Sequence, residues 1–204
     1  MSIVIGYRDT NYGKYYIAGD SAINITDDQK NVISTHKVFR DEKHPEVLFG
    51  VVGDYKYCNI ISSANLFDDY DETLGPKEEY NYMANTVVSR IHNVITNDFR
   101  CSDDKQYQFE MIVVTKHNIY DFDNDFTVTT YVDSWASLGC AWPCANAVMY
   151  ATQNCYNAIE RITIAAHASA RYINGISFPL NILIESFDHD ENAREDIIVT
   201  SVQD

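Results

Sequence analysis

A serine directly behind the initiator methionine is the first feature of the sequence that could do chemistry. The chain begins Met1-Ser2-Ile3-Val4-Ile5. Because serine is small, we expect Met1 to be removed, which would leave Ser2 with a free α-amine beside its own hydroxyl. A hydroxyl is a weak nucleophile and needs a base within hydrogen-bonding reach. An α-amine has a pKa of about 7.7–8.0 and can accept a proton near neutrality, so one residue would supply both groups.

Three further polar or turn-forming positions stand where predicted strands begin or end. Asp20 follows the strand of a predicted hairpin, Lys37 begins a short apolar strand, and Gly53 follows the apolar run 47–52. Taken singly, Asp20 is typical of a turn, Lys37 of a solvated strand end and Gly53 of the entry to a helix. Each position therefore has a structural explanation as well as a functional one.

The elements that would position these residues alternate between strands and helices. Apolar runs and alternation predict strands at 3–7, 14–18, 36–39, 47–52, 108–114, 118–122, 126–132, 180–186 and 196–202. Helical periodicity and capping residues predict helices at 54–67, 77–99, from about 143, and at 157–172. The polar segment 24–31 is expected to be a loop. Two sheets packed face to face, with a helix pair on each outer side, is one economical way to bury these apolar faces. Composition alone does not choose it over other α+β arrangements.

Composition limits the class of protein. The 204 residues suit one domain spanning 1–204, and 46% hydrophobic content is enough for a real core. There are 30 acidic residues against 15 basic ones, a formal net charge of −15. Such a surface repels phosphate groups, so we expect no nucleic acid and no membrane among the partners. No run approaches the roughly 20 apolar residues of a membrane span, and no secretory leader precedes the first strand, so a cytoplasmic location is expected.

The cysteines do not form a recognisable framework. They are Cys58, Cys101, Cys140, Cys144 and Cys155. An odd count without a leader fits a reducing compartment. Cys140 and Cys144 lie four apart, but no His/Cys pair at zinc spacing accompanies them, so we expect no metal and no cofactor. Cys140 is also a candidate thiol nucleophile at a helix start, with His36 or His167 as its base, although a local signature for such chemistry is missing.

Several segments, in chain order, resemble the proteasome β-subunit family, which includes the HslV peptidase. They are the hairpin ending Ile17-Ala18-Gly19-Asp20, the strand start Lys37-Val38, the turn Gly50-Val51-Val52-Gly53, the segment Leu138-Gly139-Cys140-Ala141-Trp142-Pro143-Cys144-Ala145 and the segment Arg171-Tyr172-Ile173-Asn174-Gly175. The last two are similar to the family's Gly-Ser-Gly-x-x-Tyr-Ala and Arg-Asp-x-x-Ser-Gly segments. The resemblance runs over nearly the whole chain. It implies the N-terminal nucleophile hydrolase fold, a four-layer αββα sandwich of two antiparallel sheets.

The resemblance also implies a register at the amino end. Placing Gly6 on the glycine common at the family's fifth mature position puts Ser2 on the catalytic threonine. An alternative register, which matches Ile3-Val4 to an Ile-Val of HslV-type sequences, puts Met1 there instead. The first register provides a usable nucleophile.

In that register the resemblance assigns roles to three more residues. Lys37 matches the lysine beside the nucleophile, whose charge favours the neutral amine. Asp20 matches the carboxylate that orients and neutralises this lysine. Gly53 matches the glycine whose backbone N–H faces the oxyanion.

Two positions depart from the family pattern around the nucleophile. The serine of Gly-Ser-Gly, which helps to hold the amine, is here Cys140, and a thiol donates only weakly. The later aspartate is here Tyr172, which is uncharged at neutral pH, and the nearby serine corresponds to Asn174, which can still form hydrogen bonds. A serine nucleophile in place of threonine also lacks the methyl group that restricts its rotamer. The site is therefore expected to be slow, altered in specificity or inactive.

The leading functional hypothesis is a proteasome-like peptidase of the threonine type, with Ser2 as the nucleophile, that forms a homo-oligomeric ring and acts on polypeptides. The chain has no glycine-rich phosphate loop, so either a separate unfoldase ATPase supplies substrate or short peptides are taken unaided. A second hypothesis is a catalytically inactive, ring-forming relative that binds or sequesters a partner. A third is an amidase acting on a small amide, because fold does not fix function.

Overall fold

In a computed structural model, which describes residues 2–26, 29–32, 36–98, 101 and 106–200, the chain forms two five-stranded antiparallel sheets and a separate hairpin. In chain order the strands are β1 (Val4–Asp9), β2 (Lys14–Asp20), β3 (Ala22–Thr26), β4 (Gln29–Val32), β5 (Val38–Arg40), β6 (Leu48–Gly53), β7 (Phe109–Val114), β8 (Ile119–Phe122), β9 (Val128–Thr130), β10 (Trp135–Leu138), β11 (Leu180–Ser186) and β12 (Glu195–Val199). The first sheet has the order β10-β1-β2-β11-β12 and the second β5-β6-β7-β8-β9, while β3 pairs with β4.

The two sheets bury a common apolar layer between them. Val4 and Ile17 of the first sheet pack in one cluster with Val52, Ile112 and Val114 of the second. Gly50 lies at a close approach of the two sheets, because a Cβ atom at this position would stand 2.7 Å from Val4 Cγ1.

Helices cover the outer face of each sheet. They are α1 (Tyr55–Ser62), α2 (Pro76–Asn81), a π-helical segment (Tyr82–Val87), α3 (Val88–Asn97), α4 (Trp142–Ala151) and α5 (Ala158–Tyr172). The helices before β7 pack on the second sheet and share a core with it. Helices α4 and α5 pack on the outer face of the first sheet. The four-layer αββα sandwich expected from the sequence is therefore confirmed.

Local sequence explains where several helices begin. Asn157 caps α5 by accepting a hydrogen bond from the Glu160 N–H at 2.9 Å, and the Glu160 carboxylate accepts from the Asn157 N–H at 3.2 Å. This reciprocal pair satisfies two backbone donors of the first helical turn. Pro76 stands in the first turn of α2, where its missing N–H does no harm.

The structure differs from the sequence-based expectation in several places. The helix predicted at 54–67 ends at Ser62, and the strand predicted at 126–132 spans only Val128–Thr130. Within the segment expected as a loop, residues 24–26 and 29–31 lie in strands β3 and β4, since Ala22–Thr26 is rich in β-branched residues. The four-residue strand β10 was not expected at all. The helix expected over 77–99 is interrupted by the π-helical segment and ends at Asn97. The predicted ends Phe99 and Val202 lie outside the described residues.

Within the described part of the chain, every helix is too short or too polar to cross a lipid bilayer.

Candidate functional site

The site lies at one edge of the sandwich, where strand ends of both sheets meet. Ser2 lies two residues before the start of β1, and Asp20 is the last residue of the neighbouring strand β2. In the second sheet, Lys37 directly precedes β5 and Gly53 is the last residue of β6. Because β1 pairs with β2 and β5 pairs with β6, the four positions predicted from sequence converge on this edge. Met1 lies outside the described residues.

Asp20 joins the two sheets through its buried carboxylate. Its Oδ1 atom accepts hydrogen bonds from the Lys37 ammonium at 2.7 Å and from the Ile3 N–H at 3.0 Å. Its Oδ2 atom accepts from the Ala22 N–H at 3.0 Å and from the Ser177 N–H at 3.3 Å. The side chain is only 1% exposed. The bond to Ile3 fixes the backbone immediately after Ser2, so the ion pair and the amino end are held as one unit.

Lys37 is held in place by its backbone as well as by its charge. Its carbonyl accepts a hydrogen bond from the Val51 N–H at 3.0 Å. Its Cβ atom passes so close to the backbone of β2 that a Cβ on Gly19 would lie 3.3 Å from it. Burial raises the pKa of the nearby Cys58 thiol to about 11, while the Lys37 charge acts in the opposite direction. The Cys58 thiol is therefore protonated and uncharged at neutral pH, so it does not compete with Asp20 for the Lys37 ammonium.

A tight turn after β10 packs against Ser2 from the other side. Gly139 has φ +87°, and a Cβ atom there would stand 2.2 Å from the Ser2 carbonyl oxygen. The Cys140 thiol donates to the same oxygen, with 3.6 Å between Sγ and O. Only glycine permits this conformation and this approach. The Gly139-Cys140 turn thus fixes the carbonyl of Ser2, in addition to the N–H of Ile3 fixed by Asp20.

Gly53 lines the same cleft as Ser2. Its φ is +121°, and a Cβ atom there would stand 2.2 Å from the Gln108 carbonyl oxygen. The same oxygen accepts a hydrogen bond from the Asp54 N–H at 2.8 Å. A side chain at Gly53 would therefore force the strand end to move.

An open cleft of about 520 Å³ lies between these walls. Ser2 lines it and is 7% exposed. The full lining comprises Ser2, Val52, Gly53, Asp54, Gln108, Phe109, Glu110, Asn124, Gly139, Cys140 and Trp142. A cleft of this size takes a side chain or a few atoms of polypeptide backbone.

Sequence reasoning missed Glu110 and Trp142 in this lining. Glu110 lies opposite Val52 in the ladder between β6 and β7, and its Oε2 atom accepts a hydrogen bond from the Gly139 N–H at 3.4 Å. A signal was present, because Glu110 is the one charged residue in the apolar run 109–114. Trp142 begins α4 at the rim of the cleft and is 53% exposed.

Four predicted positions lie outside the cleft lining: the buried pair Asp20 and Lys37 stands behind it, and Tyr172 and Asn174 lie away from it. Tyr172 ends α5 with 79% of its surface exposed, and Asn174 is also exposed. The segment after α5 instead reaches the site through the backbone N–H of Ser177, which donates to Asp20.

The candidate base for a cysteine nucleophile is engaged elsewhere. The His167 ring stacks on Phe178 with 4.2 Å between ring centroids. His36 is exposed. Among the described residues, no hydrogen bond joins either histidine to Cys140.

The fold defined by these layers is that of the proteasome-type N-terminal nucleophile hydrolases. Three solved structures illustrate the likeness. BPH from Thiobacillus denitrificans, solved in complex with epoxomicin, superimposes with a TM-score of 0.71 at 15% identity, over 91% of this chain and 98% of that one. Eukaryotic HslV from Trypanosoma brucei has a TM-score of 0.69 at 13% identity, over 90% and 99% of the two chains. Anbu from Pseudomonas aeruginosa, solved as a helical assembly, has a TM-score of 0.67 at 14% identity, over 99% and 87%.

At these identities the likeness establishes the fold. No protein-family model matches the sequence, and no curated protein matches it.

Proposed function

We propose that the protein is a peptidase that uses Ser2 as an amino-terminal nucleophile after removal of Met1. The observation that carries the proposal is the buried ion pair between Lys37 and Asp20, whose carboxylate also binds the N–H of Ile3, next to Ser2. The Lys37 side chain is only 10% exposed and is paired with a buried acid, so the placement of this charge calls for a structural or functional explanation. Buried pairs of this kind give weak evidence for stability, but they can set the electrostatics of a neighbouring group.

The proposed reaction uses two groups of one residue. The neutral α-amine of Ser2 accepts the proton of its own hydroxyl as Oγ attacks the carbonyl carbon of a peptide bond. The resulting oxyanion is stabilised by the backbone N–H of Gly53. The C–N bond then breaks, and the protonated amine returns its proton to the departing amine. A water molecule hydrolyses the Ser2 ester, with the α-amine again acting as the base, and releases the acid product.

Lys37 and Asp20 would act on the energetics of these steps. A cation near the α-amine favours its neutral form, because two like charges repel. The same cation favours negative charge on Oγ as its proton leaves. Asp20 keeps the ammonium oriented and prevents a net positive charge from being buried.

Epoxomicin offers a chemical test, since BPH from Thiobacillus denitrificans was solved in complex with it. We expect the purified protein to lack Met1 by intact-mass measurement and to gain the mass of one epoxomicin. We expect Ser2→Ala to lower cleavage of a fluorogenic peptide amide by at least about 10³-fold. Ser89→Ala is the matched control, because Ser89 is an exposed serine on α3. Retention of Met1, or unchanged turnover in Ser2→Ala, would refute the proposal.

We also propose that the protein forms a homo-oligomeric ring that encloses the clefts and takes polypeptide substrates, with or without a separate unfoldase ATPase. The fold supports closed or helical assembly, as in Anbu from Pseudomonas aeruginosa, which was solved as a helical assembly. Light scattering coupled to gel filtration gives the mass of the assembly, and electron microscopy distinguishes a ring from a helix. A monomer at micromolar concentration would contradict this part of the proposal.

A second candidate is a non-catalytic assembly protein that binds or sequesters a partner. The observation that favours it is the position of Tyr172, which is largely exposed and brings no carboxylate to the site. The exposed Cys140 also stands where the family has a serine. The two candidates separate at the amino end, since a retained Met1 would hold the Ser2 nitrogen in an amide and remove the base.

A further inference from the structure

The walls of the cleft beside Ser2 carry negative charge without a matching positive charge. Asp54 and Glu110 both line the cleft, and no lysine or arginine is among the lining residues that the structure describes. Lys37, the cation predicted for the site, is paired with Asp20. A ligand that enters the cleft therefore meets two carboxylates and a neutral nucleophile.

Neither carboxylate has a cationic partner among the described residues. Glu110 is half-buried, and its recorded hydrogen bond is a long one, 3.4 Å from the Gly139 N–H. Asp54 precedes α1 in the capping position, but its side chain forms no capping hydrogen bond. Glu110 is thus a half-buried carboxylate and Asp54 an exposed one at the same cleft, and a cation supplied by a ligand would be attracted to both.

The neighbourhood of Glu110 is also short of positive charge. Asp121 accepts a hydrogen bond from the Tyr131 hydroxyl at 2.6 Å and shares the inner face of the second sheet with Glu110. Burial raises the pKa of the Asp121 carboxyl, and the charges of Glu110 and Asp123 raise it further. The hydrogen bond from Tyr131 acts in the opposite direction. Asp121 thus places a further carboxyl group on the sheet face that carries Glu110.

An aromatic ring stands at the rim of the same cleft. Trp142 lines the cleft and is 53% exposed. Tryptophan is the aromatic side chain that best attracts a lysine or arginine placed over its face. An aliphatic stem with a terminal cation therefore matches both the ring and the carboxylates.

We propose that this cleft binds a lysine or arginine side chain of the polypeptide, next to the bond that Ser2 attacks, and that Glu110 determines this specificity. The inference rests on the proposed function and names its substrate class. Glu110 contributes the half-buried charge, Asp54 adds a second charge closer to solvent, and Trp142 covers the aliphatic stem.

The test uses three fluorogenic tripeptide amides that differ only in the residue donating the scissile carbonyl: arginine, norleucine or glutamate. We expect kcat/KM for the arginine peptide to exceed that for norleucine by about tenfold, as a partly screened ion pair allows. The glutamate peptide is expected to be the poorest. Glu110→Gln keeps an oxygen that can accept from the Gly139 N–H, so it removes the charge with little change in the wall. This variant is expected to lower the arginine-to-norleucine ratio to about twofold.

The matched control is Glu42→Gln, which removes the same charge from an exposed loop outside the cleft. It is expected to keep the tenfold ratio. The ratio is the decisive readout, because a purely structural role of Glu110 would lower cleavage of all three peptides together. Equal ratios in the wild type and in Glu110→Gln would overturn the inference.

A binding measurement separates this inference from the proposed catalysis. Fluorescein-labelled versions of the arginine and norleucine peptides are titrated into the full-length Ser2→Ala variant, with and without Glu110→Gln. Tighter binding of the arginine peptide that is lost in Glu110→Gln supports the inference even if the wild type cleaves nothing, in which case the peptidase proposal alone fails. Cleavage without any preference for arginine overturns the inference and leaves the peptidase proposal standing. Absence of both cleavage and binding overturns both.

Discussion

The buried pair of Asp20 and Lys37 predicts that its two members are unequal in their effect on stability. Asp20 accepts four hydrogen bonds, one from Lys37 and three from backbone N–H groups. Lys37 has one recorded side-chain partner, the Asp20 carboxylate. Removing the acid therefore leaves four donors without their acceptor, whereas removing the base leaves the carboxylate with three donors.

The magnitudes follow from these counts. In Asp20→Ala, an unpaired ammonium is left in a site where it was 10% exposed, and breaking a buried pair in this way costs about 3–5 kcal/mol. Loss of the acceptor for buried N–H groups adds about 1–3 kcal/mol for each group that water does not reach. We expect a total of about 5 kcal/mol, a large part of the roughly 5–15 kcal/mol of a typical domain.

Lys37→Met is expected to be much milder. The methionine fills a similar volume, and the Asp20 carboxylate keeps its bonds to Ile3, Ala22 and Ser177. Three N–H donors can stabilise a buried carboxylate without a counter-ion. We therefore expect a loss of about 2 kcal/mol, below the ~3–5 kcal/mol usual for breaking a buried pair, because three N–H donors remain on the carboxylate.

The assay is urea denaturation of both variants, followed by far-UV circular dichroism. With a slope of about 2 kcal/mol per molar urea, the midpoint of Asp20→Ala should lie about 1.5 M below that of Lys37→Met. Both variants are expected to lose peptidase activity, so stability and activity are read separately. Equal midpoints, or a lower one for Lys37→Met, would show that the carboxylate is not held by the backbone as the structure has it.

Two further predictions concern backbone conformation and alkaline pH. Gly53→Ala should lower the free energy of unfolding by about 3 kcal/mol, because the new Cβ atom would lie 2.2 Å from a backbone oxygen. The control Gly13→Ala has φ +62° but no atom within 4 Å of its new Cβ, so it should lower the free energy of unfolding by only about 1 kcal/mol. Thermal melts compare the two variants. Burial, and then the Glu79 charge, raise the pKa of Tyr70. Above pH ~10 a tyrosine in the unfolded chain loses its proton while Tyr70 in the folded protein keeps it, so stability falls as pH rises. Tyr70→Phe should make that decline shallower in denaturation series from pH 8 to 11. An unchanged slope would contradict the raised pKa of Tyr70.

The parts of the fold that the sequence predicted are those with strong local signals. Helix α5 has a reciprocal cap and a long apolar stripe, and β11 matches its predicted range of 180–186. Asp20 and Lys37 could be singled out because their neighbours resemble a known pattern. That they form a pair at 2.7 Å is a tertiary fact, since 16 residues of chain separate them.

The parts that escaped prediction depend on distant partners. Strand β10 has four residues and acquires its conformation by pairing with β1. The π-helical segment changes the hydrogen-bond spacing without changing the apolar stripe, so periodicity does not reveal it. Glu110 looks like an isolated charge in a buried strand, and its place in the cleft becomes visible only once Gly139 and Gly53 are brought beside it. Local pattern predicts elements, whereas the cleft is formed by strand ends from both sheets.

Opposing charges act on the proposed base, and this leads to a last prediction. In the proposed mechanism Lys37 would favour the neutral α-amine of Ser2, whereas the carboxylates of Glu110 and Asp54 in the cleft wall would favour its protonated form. A bound arginine side chain would neutralise these carboxylates, lower the pKa of the amine and so increase the fraction that can act as a base. The acidic limb of the kcat profile should therefore lie at lower pH for the arginine peptide than for the norleucine peptide.

The shift should disappear in Glu110→Gln, where less negative charge remains to be neutralised. A sign reversal, with the acidic limb at higher pH for the arginine peptide, would mean that the substrate cation does not relieve the wall carboxylates. Coincident limbs in the wild type would mean that these carboxylates act on binding alone. If Glu42→Gln shifts the acidic limb for both peptides as much as Glu110→Gln does, the shift reflects the net charge of −15 on the whole protein and not the carboxylates of the cleft. The pH dependence of kcat reports ionisation in the enzyme–substrate complex. The comparison therefore measures the pKa of the base separately from the substrate affinity, which the arginine side chain also changes.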